Sequence, residues 1–70
     1  MASLNKNDRD NLYSAAARLV EQASRFDQQA DVFAQCQMHD RAEGHRKVAA
    51  AMREEASECR RLADAWRGAQ

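Results

Sequence analysis

Residues 42–66 read AEGHRKVAAAMREEASECRRLADAW, and alanine returns at every seventh place: Ala42, Ala49, Ala56 and Ala63. His45, Met52, Cys59 and Trp66 stand in the same register. This is an a/d heptad with alanine at a and a bulkier residue at d. The first half of the chain repeats it, with Ala16, Ala23 and Ala30 at a and Leu12, Leu19, Phe26 and Phe33 at d. The step of seven predicts two closely packed helices. The register jumps near Met38-His39-Asp40, so the break between them falls there.

The expected layout is a single domain over residues 1–70. A short arm covers 1–6, a first helix runs from 7 to about 38, a turn occupies about 39–40, and a second helix runs from about 41 to 67. Asn5 or Asn7 is placed to cap the first helix, with Asp8 and Asp10 in its positively polarised first turn. Asp40 followed by Glu43 reads as a capping box opening the second helix, and Gly68 as its stop. A short connection makes the helices antiparallel. One register satisfies two ladders, with a slip of half a heptad as the alternative: Ala16 faces Ala63, Ala23 faces Ala56 and Ala30 faces Ala49, while Leu12 pairs with Trp66, Leu19 with Cys59 and Phe26 with Met52. Alanine at the contact lets the axes approach to about 8 Å.

Composition agrees. The 70 residues include no proline and only two glycines, and alanine, arginine, glutamine and glutamate are abundant. Eleven basic residues balance eleven acidic ones, so bulk charge selects neither nucleic acid nor an anionic membrane. No stretch is apolar for the length of a membrane span, and no signal-peptide core follows Met1-Ala2-Ser3, which points to the cytoplasm. Two cysteines make no disulfide framework. A chain this short buries little apolar surface, so a partner is expected.

The hairpin's two flanks differ. Beside d, on the side away from a, lie the g positions, where Ala15, Cys36, Val48 and Leu62 occur, with Ala51 and Ala65 beyond them at c. A hairpin two helices thick cannot cover this widened face, so we expect an all-α hairpin that dimerises into a four-helix bundle. Leu19, Phe26, Phe33, Val48, Met52, Leu62 and Trp66 form its expected dimer core. Along the other flank, Arg46, Arg53, Arg60 and Arg67 occupy successive e positions, about 10.5 Å apart. They border Tyr13, Val20, Asp27 and Ala34 of the first helix, with Asp27 opposite Arg53. Such arginines either shield the seam with their stems or, with Tyr13 and Val20, form a partner-binding face.

Chemistry finds no support. There is no nucleophile–base–orienter set and no glycine-rich phosphate loop, so no enzyme and no cofactor are expected. Cys36, His39 and His45 near the turn supply three ligands at best where zinc wants four, so no metal is expected either. The bland alternative has Cys36 buried, His39 facing solvent and His45 partly covered. In the register above Cys36 and Cys59 lie about 24 Å apart, beyond disulfide reach.

The alanine-rich hairpin and the segment Asp40-Arg41-Ala42-Glu43-Gly44 resemble the phage anti-quorum-sensing proteins, small helical-hairpin homodimers that temperate phages express early in infection. That resemblance covers the whole chain. It implies binding to, and inhibition of, a bacterial quorum-sensing transcription regulator, with the pilus-assembly ATPase as a second target. It transfers no binding residue. The architecture is also similar to Rop, a hairpin dimer that binds paired RNA loops. The leading expectation is thus a non-enzymatic homodimer that binds and inhibits a larger host protein. A nucleic-acid binder using the arginine line, and a structural subunit of an assembly, are the alternatives.

Overall fold

The computed structural model describes residues 5–66. They form two helices, α1 (Lys6–Gln35) and α2 (His39–Asp64), folded back on each other into a hairpin 55 Å long and 16 Å by 15 Å across. Among the described residues there is no strand.

The N-terminus of α1 is closed by Asn5. Its Oδ1 accepts from the Asp8 N–H at 2.9 Å, while Asp8 Oδ2 accepts from the Asn5 N–H at 3.3 Å. This reciprocal cap satisfies two otherwise orphaned donors and places a carboxylate in the positively polarised first turn. Lys6 is therefore already helical rather than part of an arm.

The connection differs from the expectation. α1 ends at Gln35 rather than near residue 38, and the turn occupies 36–38 rather than 39–40. The reason is a closure at the end of α1. Gln37 adopts a left-handed conformation with φ 64°. Its N–H then donates to the Ala34 carbonyl at 3.1 Å, and the Met38 N–H reaches back to the Phe33 carbonyl at 2.8 Å. This double bond pattern ends a helix by returning its last carbonyls to the chain. α2 consequently begins at His39, two residues earlier than expected. Its cap is Met38, which makes no side-chain hydrogen bond to the helix, and with Asp40 already inside the first turn the expected Asp40–Glu43 capping box does not form. Glu43 lies past the first turn and pairs instead with Lys47 at 3.5 Å. α2 ends at Asp64, with Ala65 as its cap, rather than near residue 67; Gly68 lies outside the described residues.

The seam is as the heptads foretell. Ala16, Ala23, Ala30, Ala42 and Ala49 are fully buried, and Ala56 and Ala63 retain 1% exposure. Phe33 stands against His45 with ring centroids 4.9 Å apart, and Phe26 lies 5.3 Å from the same ring. Asp27 meets Arg53, as expected. These contacts across the seam set the antiparallel register.

Candidate interaction surfaces

The two flanks of the seam have opposite character. On the d side nothing closes over the core. Leu12, Leu19, Phe26, Phe33, His45, Met52, Cys59 and Trp66 are each only partly covered. No large side chain among the described residues is fully buried. Beside this row the g residues Val48 and Leu62 are 41% and 47% exposed, and Val32 at c is 58% exposed. All seven residues expected in a dimer core, Leu19, Phe26, Phe33, Val48, Met52, Leu62 and Trp66, therefore lie on one face with apolar surface in water. An open groove of about 480 Å³ interrupts it, lined by Asp8, Asn11, Leu12, Ala15, Arg18 and Leu62.

On the e side polar pairs bridge the helices. Tyr13 donates its hydroxyl to Asp64 Oδ1. Arg53 pairs with Asp27, and Arg46 reaches Asp31 at 3.5 Å. The hydrogen bond to Asp64 holds the Tyr13 hydroxyl's pKa above its ordinary 10.0. Slight desolvation and the Asp64 charge act in the same sense, and Arg9 opposes them. Val20 is partly covered beneath this layer, and Arg60 is exposed without a carboxylate partner among the described residues. Arg67 lies outside the described residues. Each exposed ion pair contributes only about 0.2–1 kcal/mol, but the two set a carboxylate against Arg46 and Arg53 of the arginine line.

Three features were not read from the sequence. One heptad before Ala16, position a is held by Arg9, whose guanidinium carbon sits 4.5 Å from the centre of the Trp66 ring. A cation over indole is favourable, and it replaces alanine at the open end of the seam. Asp31 and Asp64, which tie Arg46 and Tyr13, lie one position outside the heptad interface and were legible only through the register. At the turn, Cys36 is exposed rather than buried, because it caps α1 where the helices no longer overlap. Cys59 is partly covered, and both thiols are free. His45 donates Nδ1–H to the Arg41 carbonyl at 3.0 Å, and His39 Nε2 lies 3.3 Å from Gln37 Oε1. Among the described residues no group of three or more histidine, cysteine or acidic side chains is placed to hold a metal ion, and no helix is long and apolar enough to cross a membrane.

No protein-family model matches the chain, and no match was found among curated proteins or solved structures.

Proposed function

We propose that the chain is a non-enzymatic homodimeric protein-binding module, which pairs two hairpins into a four-helix bundle and inhibits a larger regulatory protein by occupying one of its surfaces. The observation that carries the dimer is the partial exposure of every d residue together with Val48 and Leu62. An isolated hairpin leaves its two phenylalanines, Met52 and Trp66 partly in water, beside the more exposed Val48 and Leu62. A second copy covers their remaining surface, a gain of about 25 cal/mol for each Å² of apolar area removed from water. With the d face so used, the e face, with Tyr13, Val20, Arg46, Arg53 and Arg60, is left to meet a partner.

The pairing of Arg46 with Asp31 and of Arg53 with Asp27 favours a protein partner over nucleic acid. Binding to a polyanion draws on arginines free to release counterions, whereas a protein interface draws on a few packed anchors such as Tyr13. The resemblance to phage anti-quorum-sensing proteins makes the DNA-binding region of a quorum-sensing transcription regulator and the pilus-assembly ATPase the first targets to test. Titration of labelled protein against each should give submicromolar binding to one of them, weakened by Tyr13→Ala. Duplex DNA and stem-loop RNA should show none at about 150 mM salt. Tight, salt-sensitive nucleic-acid binding, with neither protein bound, would reverse this reading.

A further inference from the structure

Two hairpins can cover each other's open face in two ways. With the two-fold axis parallel to the bundle, both turns lie at the same end and α1 of one copy faces α2 of the other. With the axis perpendicular, the turns lie at opposite ends, α1 faces α1 and α2 faces α2. Apolar burial does not choose between them, because Val48 and Leu62 find apolar neighbours in both.

Charge does choose. On α1 the flank of the open face carries Arg18 and Arg25, one heptad apart, and on α2 it carries Glu55 and Glu58. Arg18 and Glu55 have no ion partner among the described residues, while Arg25 and Glu58 pair only along their own helices with Glu21 and Arg61. Phe33 opposite His45 sets the heights, so Arg18 is level with position 60 and Arg25 with position 53. A rotation about a parallel axis preserves height. Arg18 then comes within two residues, about 3 Å along the axis, of Glu58 of the second copy, and Arg25 equally near its Glu55. In a fully overlapped perpendicular arrangement the same residues oppose their like: Arg18 meets Arg25 across one seam and Glu55 meets Glu58 across the other.

We propose that the open d/g face seats a second copy of this chain with both turns at the same end, an orientation selected by Arg18 and Arg25 against Glu58 and Glu55. This rests on the homodimer reading above. Like-charge pairs at both seams penalise the opposite orientation, which is how charged flanking positions set helix orientation in coiled coils. The two turns, with Cys36 exposed on each, then lie together at one end of the dimer.

The test uses Cys36. Cys59→Ala leaves it as the only thiol, and a spin label there reports the distance between copies by pulsed dipolar spectroscopy. Helices diagonal in a bundle are about 14 Å apart, so turns at one end give a label distance below about 25 Å. Turns at opposite ends give about 40 Å or more at helical rise. A short distance in a species of dimer mass supports the proposal, and a long one overturns it while leaving the homodimer standing. Monomer mass with no dipolar coupling removes the homodimer reading itself. In the unlabelled chain, Glu55→Arg turns two attractions per dimer into repulsions and should raise the dimer dissociation constant roughly five- to tenfold. A lowered constant, as the opposite orientation requires because the change turns its Glu55–Glu58 repulsions into attractions, would overturn the proposal, and so would an unchanged one.

Discussion

Tyr13 is the chain's single tyrosine, and its hydroxyl is tied to Asp64 across the open end of the hairpin. The neutral hydroxyl donates, so the folded chain holds the proton more tightly than the unfolded one, and the pKa is raised above 10.0. The sign follows directly: the contact supports the fold at neutral pH and below the unfolded value, and the support is lost as pH rises through the raised folded value. Ultraviolet difference titration should give a tyrosine midpoint above 10.0, and Asp64→Ala should return it toward that value. A midpoint at or below 10.0 in the parent chain would mean that the hydrogen bond does not persist in solution. Beside it, Arg9 illustrates a limit of residue-level reading. It sits at an a position, where an alanine ladder invites the reader to stop counting, and only the folded end of α2 brings Trp66 over it.

The helices themselves were legible, because Ala16, Ala23, Ala30, Ala42, Ala49, Ala56 and Ala63 carry the period without interruption on each side of one break. Their ends were less so. A helix stop is normally announced by glycine or asparagine in the left-handed position, and here that position is Gln37 with φ 64°. Nothing in glutamine's chemistry signals this, so the register jump located the turn only to within a few residues. A residue with a Cβ pays about 1–2 kcal/mol in this conformation. Gln37→Gly should therefore stabilise the hairpin by about 0.5–1 kcal/mol, after glycine's larger unfolded-state entropy is deducted. Urea denaturation measures it, and a loss of stability would contradict the closure described at the end of α1. The start of α2 was misplaced for a related reason. Asp40 and Glu43 have the spacing of a capping box, but Gln37 ends α1 early enough for His39 to be helical, and Met38 takes the cap without a side-chain bond.

At the scale of the whole molecule, the two flanks of the seam divide the work. On the e side Tyr13–Asp64, Asp27–Arg53 and Asp31–Arg46 close the hairpin with polar contacts. On the d side the large apolar residues stay only partly covered, which 70 residues in two helices cannot remedy alone. The heptads made both flanks readable: g positions with Val48 and Leu62 marked the open one, and e positions with four arginines marked the other. What they could not reveal was that Asp31 and Asp64 reach in from beyond e to meet Arg46 and Tyr13, because that depends on side-chain reach rather than on period. The central claim is that the open face is covered by a second copy, and the most direct measurement is sedimentation equilibrium at micromolar concentration. The account predicts a helical species of twice the chain mass of 7.9 kDa. A stable, fully helical species at 7.9 kDa would contradict it.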